Sequence, residues 1–455
     1  MSSYVVVGAG ICGLTAAILL AKRFDKVILV EQAPHCGGLL QTVTDDAGHS
    51  YDQGTHIPET TGIKEIDDIL FCEQHSQKWQ SIDKLRTGNY FAGSWDLNTQ
   101  TIDARKLPLE LYHHGLGEFM DCTDIPKDLD IEAYLTKSLG STFYQELALP
   151  VIRKLYGQDV DPSTLTAKTG VNYFGAGRII ASNQRLTALL KQDAVFDAKL
   201  GFHHQAEYES QLRQKGGELP EFYYPTTGQR VQFWTDSLLQ KAKELGVEVL
   251  TSTSVTKIDH ANGKIHGLKL SNDRVIDCGF LFWSVPPVFA LKAAELEIKK
   301  ANVSFRTAHL LHYTFDTQLL NTQSHYIWNW DPAIPFFRAT LYQNLSADPL
   351  FQVTLEYLSG AQDHHKYGLE EGMKDLLKMG LISPETKLVS SLEQKIDNTF
   401  PLPTFEFAQA TQNNYDALNN TLDNIVISGR FSGQCWLQGD VLRKAYHDIN
   451  ALIIE

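Results

Sequence analysis

The sequence predicts an α/β protein that combines a doubly wound parallel sheet with a second region of mixed β-sheet and helices. Three observations support this fold class. An apolar, β-branched run at residues 4–7 leads into the glycine-spaced turn GAGICG and then into an apolar helical segment. A second apolar run, at residues 27–30, ends on an acidic residue. Far along the chain, NIVISGRFSG followed by a helical segment repeats the order of strand, glycine turn and helix.

The first glycine turn has the spacing G-x-G-x-x-G, formed by Gly8, Gly10 and Gly13. Gly8 permits the tight turn, Gly10 lets the backbone approach a pyrophosphate, and Gly13 lets the following helix pack closely on the strand. The helix predicted from residue 14 to residue 22 directs its N-terminal N–H groups at the phosphates. Glu31, about 20 positions further on, suits a ribose hydroxyl and repels a 2′-phosphate. These elements together predict a Rossmann-type dinucleotide-binding domain.

Composition excludes several classes of function. The chain has 455 residues, which favours two or three domains, and a formal net charge of −14, which disfavours nucleic acid as a partner. No apolar segment is long enough for a transmembrane helix, so we expect a soluble, cytoplasmic protein. The sequence does not determine its oligomeric state. The cysteines are scattered without a C-x-x-C pair, so the sequence predicts no metal site and no redox dithiol. They are Cys12, Cys36, Cys72, Cys122, Cys278 and Cys435.

The middle of the chain reads as alternating helical and β-type segments. Residues 64–210 are expected to be largely helical, and the polar stretch at residues 191–222 reads as a loop. A helix beginning at QFWTDSLL and a strand VEVLTSTSVTKI follow, then the strands KIHGLKLS and RVIDCGFLFWSVP. Residues 303–360 contain the β-type runs AHLLHYTF, HYIWNW and FFRATLY.

Several separated motifs resemble those of one flavoprotein superfamily. They are PHCGGLLQT after the ribose acid, YDQGTHI, FYYPTTG before a helix, FLFWSVPP, and the C-terminal ISGRF…GQCWLQGDV. The pattern resembles FAD-dependent amine oxidases, protoporphyrinogen oxidases, carotenoid desaturases and UDP-galactopyranose mutases. The resemblance implies FAD rather than NAD as the cofactor. It also implies a discontinuous FAD-binding domain at residues 1–63, 222–300 and 400–455. The substrate-binding domain, with a helical part, would then comprise residues 64–221 and 301–399.

The resemblance assigns a set of cofactor-binding residues. The first glycine turn, with Cys12, would hold the pyrophosphate through backbone N–H groups, and Glu31 would bind the adenosine ribose. The N-terminal dipole of the last helix would stabilise negative charge on a reduced flavin. The remaining residues expected at the cofactor are Gln32, Gly38, Leu39, Gly54, Thr55, His56, Val255, Gly429, Arg430, Gln438, Gly439 and Val441.

Two residues are candidates for chemistry. His56 corresponds to a mutase histidine beside the flavin ring, where it would tune the flavin potential or shuttle a proton; the alternative is a hydrogen-bonded structural histidine. Arg338 resembles a mutase arginine that grips a nucleotide-sugar phosphate; the alternative is an internal ion pair. Trp328, Trp330 and Trp436 either line the substrate cavity or pack in the core.

Three functions remain open at this point. The first is an FAD-dependent oxidoreductase that transfers a hydride from a small-molecule C–H, beside nitrogen or oxygen, to flavin N5. The second is a mutase-like, non-redox flavin isomerase of a nucleotide sugar. The third is a flavin-binding protein without catalysis. The substrate is accordingly expected to be a small molecule, with an amine and a nucleotide sugar as the two candidates.

Overall fold

The computed structural model describes residues 2–71, 77–122, 128–170, 177–346, 351–360 and 367–454. Cys72 therefore lies outside the described residues. The strands are β1 (Ser3–Val7), β2 (Val27–Val30), β3 (Thr42–Thr44), β4 (Ser50–Asp52), β5 (Trp79–Ile82), β6 (Thr87–Phe91), β7 (Ser94–Asp96), β8 (Ile102–Asp103), β9 (Ile179–Ile180), β10 (Phe222–Pro225), β11 (Glu248–Leu250), β12 (Val255–Ala261), β13 (Lys264–Leu270), β14 (Val275–Trp283), β15 (Phe305–Phe315), β16 (Tyr326–Asn329), β17 (Arg338–Leu341), β18 (Phe351–Ser359), β19 (Leu388–Pro401) and β20 (Ile425–Ile427).

The helices alternate with these strands along the whole chain. They are α1 (Ile11–Ala21), α2 (Lys64–Leu70), α3 (Leu109–Asp121), α4 (Ile131–Leu139), α5 (Ser141–Phe143), α6 (Leu149–Tyr156), α7 (Ala167–Gly170), α8 (Gln184–Leu190), α9 (Ala194–Lys199), α10 (Gln205–Gln214), α11 (Gln232–Glu244), α12 (Pro287–Ala293), α13 (Leu369–Lys378), α14 (Phe405–Thr421) and α15 (Gln438–Ile454). Within the described residues, no helix combines the length and the apolar character that crossing a bilayer requires.

The first sheet has the strand order β11-β2-β1-β14-β13-β12, with β20 also paired to β14. The pairs β11–β2, β2–β1, β1–β14 and β14–β20 are parallel, whereas β14–β13 and β13–β12 are antiparallel. The central strands are buried on both faces, which explains why residues 4–7 and 27–30 are continuously apolar. Helices α1, α2, α11 and α15 contribute to the apolar layer on one face, and α12 and α14 contribute to the layer on the other.

The second sheet has the strand order β19-β15-β18-β17-β16-β6-β7 and is antiparallel except for the pair β16–β6. Helices α3 to α6 pack with part of this sheet in one core, and α13 packs in another. The first sheet takes its strands from residues 3–30, 248–283 and 425–427, and the second takes its strands from residues 87–96 and 305–401. The domain boundaries drawn from the sequence stay a prediction.

Three local predictions were wrong. Residues 64–210 are not largely helical throughout, because strands β5 to β8 occupy much of residues 79–103. The polar stretch at 191–222 contains α9 and α10 rather than one loop. The run VEVLTSTSVTKI is two strands, β11 and β12, separated by a turn in which Ser252 has a φ of +50°.

Candidate cofactor and substrate site

The N-terminal glycine turn packs tightly against both its own helix and a distant loop. A Cβ on Gly13 would lie 1.8 Å from the carbonyl oxygen of Gly8, so α1 sits directly on the turn. Gly8 has a φ of +94°, and a Cβ there would lie 2.4 Å from Ser284 Oγ. The N-cap of α1 is Gly10, and no side chain caps the helix. The first-turn N–H groups of α1 are therefore available to an external anion.

A second glycine turn lies against the first. The N–H of Gly37 donates to the carbonyl of Ala9 at 2.8 Å, and Gly38 has a φ of +61°. A Cβ on Gly38 would lie 3.2 Å from the Cα of Gly10. Leu39, which follows, is exposed. The two turns thus form a concave backbone surface. A side chain at Gly10 or at Gly38 would fill it.

Glu31 lies at the end of β2, beside the glycine turn. Its carboxylate accepts hydrogen bonds from the N–H of Ala9 at 2.6 Å and of Ala33 at 2.8 Å. A carboxylate offers about four acceptor positions, so two remain for other donors. Gln32 is exposed next to it. The half-buried Val255 begins β12, shortly after the strand β11 that pairs with β2.

The C-terminal strand and turn meet the first glycine turn. The side chains of Cys12 and Ser428 approach each other to 3.5 Å between Sγ and Oγ. Gly429 has a φ of +84°, and a Cβ there would lie 2.4 Å from the carbonyl oxygen of Ser284. Burial raises the pKa of the Cys12 thiol to about 11, so the thiol stays protonated and serves as a small packing group.

The last helix begins directly after this turn. Arg430 donates from Nε to the carbonyl of Trp436 at 3.2 Å, and its guanidinium lies 4.8 Å from the centroid of the Trp436 ring. Gln438 is the first residue of α15, and Gly439 and Val441 are buried in its first turn. This arrangement brings the start of α15 close to the same loop region as Gly429.

His56 lies near Arg338 and Glu356 of the second sheet as a neutral imidazole. Its Nε2 lies 3.1 Å from the carbonyl oxygen of Gln53. Burial and the nearby positive charge of Arg338 lower the pKa of His56 to about 4. Because a carbonyl oxygen only accepts, Nε2 carries the hydrogen and Nδ1 is left as an acceptor.

Arg338 forms a two-pronged ion pair with Glu356. Its Nε and Nη2 lie 2.7 and 2.8 Å from the two carboxylate oxygens, in the register that pairs β17 with β18. Glu356 also accepts from the N–H and hydroxyl of Thr55, at 3.1 and 2.7 Å. Burial alone would raise the pKa of Glu356, but the charge of Arg338 outweighs it and holds that pKa below its ordinary value. A Cβ on Gly54 would lie 3.1 Å from Glu356 Oε2.

Asp52 fixes the start of the segment that carries His56. Its carboxylate accepts from the hydroxyl of Tyr224 and, at 2.8 Å, from the N–H of Val231. Its own N–H donates to the hydroxyl of Tyr342 at 2.9 Å. Burial raises the pKa of Asp52 to about 6, although both hydrogen bonds to the carboxylate favour its charged form. Three distant parts of the chain are thereby held together at residue 52.

A cavity of about 690 Å³ lies between the second sheet and the helical segments. Trp328 lines it, and the guanidinium of Arg338 lies 5.3 Å from the Trp328 ring centroid. Trp330 is buried and stacks on Trp328 with ring centroids 5.0 Å apart, so it is a core residue that supports the wall. Other residues of the wall are Glu59, Thr87, Tyr134, Arg178 and Tyr326. Trp328 thus contacts both the cavity and Arg338, which belongs to the cluster with Glu356 and His56.

Comparison with known proteins agrees with this architecture. Residues 6–68 match the family described as NAD(P)-binding Rossmann-like domain. A solved structure of reduced UDP-galactopyranose mutase superposes with a TM-score of 0.73 at 18% identity, over 100% of this chain and 96% of that one. A putative protoporphyrinogen oxidase from Exiguobacterium sp. 255-15 gives a TM-score of 0.67 at 14% identity, over 100% of this chain and 99% of that one. The chain therefore shares the fold of these two solved structures. The fold class and the resemblance predicted from the sequence are confirmed at this level.

Curated proteins match a smaller share of their own length. A 1-hydroxycarotenoid 3,4-desaturase from Flavobacterium sp. is 21% identical over 283 residues, which is 59% of this chain and 53% of that protein. A phytoene desaturase from Fusarium fujikuroi is 26% identical over 288 residues, which is 59% of this chain and 46% of that protein. The chain thus spans about half the length of the curated relatives it matches.

Sequence reasoning missed three acidic residues of this site. Asp52 stands within the motif YDQGTHI, but that motif served only as evidence for the family resemblance, and no role was assigned to Asp52. Glu356 is the one charged residue of the buried strand β18, and a buried charge indicates that an oppositely charged partner lies nearby. Glu59 carries no such signal, because nothing in the local sequence indicates that it faces a cavity.

Proposed function

We propose that the chain is an FAD-dependent oxidoreductase that removes a hydride from a small-molecule substrate. The observation that carries this proposal is the convergence of both chain ends on one backbone cradle. The turn at Gly10, the turn at Gly38 and the turn at Gly429 lie together, and Glu31 lies at the side of the first turn. A long, extended dinucleotide suits such a cradle better than a short ligand does.

The residues present fit the pyrophosphate and ribose of FAD. The uncapped first turn of α1 would donate to the pyrophosphate, and a side chain at Gly10 or Gly38 would obstruct that approach. The two remaining acceptor positions of Glu31 would take the ribose hydroxyls. At the other end, the first turn of α15 and Arg430 would face the flavin part of the ligand. These roles are assignments by analogy with the superfamily, supported by the local backbone geometry.

When bound, the flavin would supply a two-electron acceptor for the substrate C–H bond. The chain itself would orient the substrate in the 690 Å³ cavity and exclude water from it. The aromatic rings of Tyr326 and Trp328 provide flat apolar walls. The neutral imidazole of His56 belongs to the neighbouring cluster of Arg338, whose guanidinium lies 5.3 Å from the Trp328 ring centroid. Because His56 stays neutral above about pH 4, its protonation would not limit activity at neutral pH.

The mutase-like isomerase is the second candidate, and one contact argues against the role that it would give Arg338. In that mechanism, Arg338 would hold the diphosphate of a nucleotide sugar. The guanidinium is instead neutralised by both oxygens of Glu356, so a diphosphate would have to compete with a buried carboxylate. The internal ion pair that the sequence left as an alternative is therefore the better account of Arg338.

Visible spectroscopy of the purified protein tests the proposal. We expect an oxidised flavin band, either as purified or after FAD is added, and bleaching of that band when a substrate amine or alcohol is added without oxygen. Turnover of a nucleotide sugar only after dithionite reduction, without net electron change, would favour the isomerase instead. A colourless protein that binds no added FAD would contradict both functions.

A further inference from the structure

The carboxyl group of Glu59 is a half-buried acid that faces the cavity. The backbone around Glu59 is fixed by two contacts. Glu59 and Phe222 form an isolated antiparallel β-bridge, and the N–H of Tyr223 donates to the carbonyl of Pro58 at 2.9 Å. A Cβ on Gly439 would lie 3.2 Å from Glu59 Oε1, so the carboxyl group lies against the first turn of α15. Glu59 thus lies between the cavity and the start of the last helix.

Within the described part of the chain, no hydrogen bond or ion pair is made by the Glu59 carboxylate. The positive charge of Arg443 acts on it, but the Arg443 guanidinium is engaged elsewhere. One Arg443 nitrogen lies 2.7 Å from Asp440 Oδ1 and another donates to the carbonyl of Thr61 at 2.8 Å. Burial raises the pKa of the Tyr326 hydroxyl, and the nearby Glu59 carboxylate adds to that shift. The Glu59 carboxylate therefore keeps its acceptor positions open to a donor that enters the cavity.

We propose that Glu59 is a specificity-determining residue of the cavity, whose carboxylate binds an amine or hydroxyl donor at the end of the substrate nearest the last helix. A ligand donor completes the hydrogen bonding that the chain leaves open. A protonated amine gains most, because a charge-assisted hydrogen bond is stronger than a neutral one. The inference rests on the proposed function only in taking this cavity as the substrate site.

The charge state of Glu59 sets a pH dependence for this contact. Burial raises the pKa of Glu59 above its ordinary value, Arg443 opposes that shift, and Asp440 adds to it. Binding of a cation should therefore weaken as the pH falls through that raised pKa, because the carboxylate becomes neutral. Other titratable side chains that line the cavity are Tyr134, Lys168, Arg178, His204, Tyr208 and Tyr326. The variant Glu59→Gln separates the titration of Glu59 from theirs.

Calorimetric titration with two flat probes of opposite charge, benzylamine and benzoate, tests the proposal. Both probes are titrated into wild-type protein, Glu59→Gln and the surface variant Glu110→Gln. Glu110 is exposed on α3 and does not line the cavity, so its variant matches the change in net charge. We expect benzylamine to bind Glu59→Gln about tenfold more weakly than wild type, with Glu110→Gln unchanged and benzoate not weakened. The pH dependence of benzylamine binding should disappear in Glu59→Gln only.

Three outcomes would overturn the proposal: equal benzylamine affinity in wild type and Glu59→Gln, equal weakening in both variants, or no benzylamine binding to wild type. Circular dichroism and thermal melting check that the variants fold. FAD binding is measured separately, and the amine titration is repeated on protein stripped of flavin. If FAD fails to bind while the amine discrimination persists, the proposed function fails and the role of Glu59 stands.

Discussion

The ion pair between Arg338 and Glu356 allows a quantitative test of whether Arg338 is structural. The side chains of these residues are 15% and 6% exposed, and both prongs of the pair are shorter than 3 Å. Removing the charge of Arg338 alone by Arg338→Met leaves Glu356 buried and uncompensated. Losing one partner of a buried pair costs about 3–5 kcal/mol in the free energy of unfolding. We therefore expect a loss of that size in Arg338→Met, and a comparable loss in Glu356→Ala, which takes away the carboxylate that neutralises the guanidinium.

The double variant Arg338→Met/Glu356→Gln removes both charges while the introduced amide still offers an oxygen to Thr55. Replacing both members of a buried pair is often close to neutral, so we expect this variant to regain most of the stability lost in Arg338→Met. Denaturant unfolding followed by circular dichroism measures the free energies, and a double-mutant cycle with Glu356→Gln gives the coupling. A loss below about 1 kcal/mol in Arg338→Met, or strictly additive effects in the cycle, would refute the reasoning.

Three further predictions concern the cofactor turn and the buried acid. Glu31→Ala should weaken FAD binding by about a hundredfold, because two ribose hydroxyls lose a charged acceptor. The control Glu110→Ala should bind FAD as wild type does. Equal FAD affinities of the two variants in a fluorescence titration would contradict the ribose-binding role of Glu31. Gly13→Ala should abolish FAD binding and lower the melting temperature, because its Cβ would lie 1.8 Å from a backbone oxygen. The control Gly117→Ala, whose Cβ would meet no atom within 4 Å, should leave the melting temperature unchanged or raise it. Similar melting temperatures for the two variants would refute the packing argument. Asp52 has a folded pKa of about 6, above its ordinary 3.8, so its contribution to stability is present at low pH and is lost as the pH rises through 6. Wild type should thus gain about 2 kcal/mol relative to Asp52→Asn between pH 7 and pH 4. Parallel pH profiles in urea unfolding would show that Asp52 does not titrate in this range.

Local sequence patterns predicted the cofactor region well because its determinants lie close together in the chain. The spacing of Gly8, Gly10 and Gly13, and the apolar runs on either side, follow from how one turn packs on one helix. The strand β20 and helix α15 were recognised for the same reason. The predictions failed where tertiary context decided the outcome. Strands β5 to β8 pair with distant strands or flank them, and no local period reveals those partners.

The polar part of the site was harder to predict because its contacts join distant residues. Asp52 meets Tyr224 and Val231 across more than 170 positions of sequence, and Tyr342 across 290. The pairing of Arg338 with Glu356 spans only 18 positions, but it depends on the register of two antiparallel strands. A sequence pattern shows that a buried charge needs a partner, whereas only the strand register shows which partner it has.

The contact between Cys12 and Ser428 joins residues 416 positions apart. During synthesis on the ribosome, β1 therefore emerges long before β14, its neighbour in the sheet, and before β20, which completes that side. The earliest-made strand must wait, apolar on both faces, until β14 has been translated, and the strand β20 that pairs with β14 follows only near the end of the polypeptide. This region should consequently be the part of the nascent chain that most needs shielding by a chaperone, and shortening the C-terminus should harm the yield of folded protein more than loop deletions in the middle of the chain do.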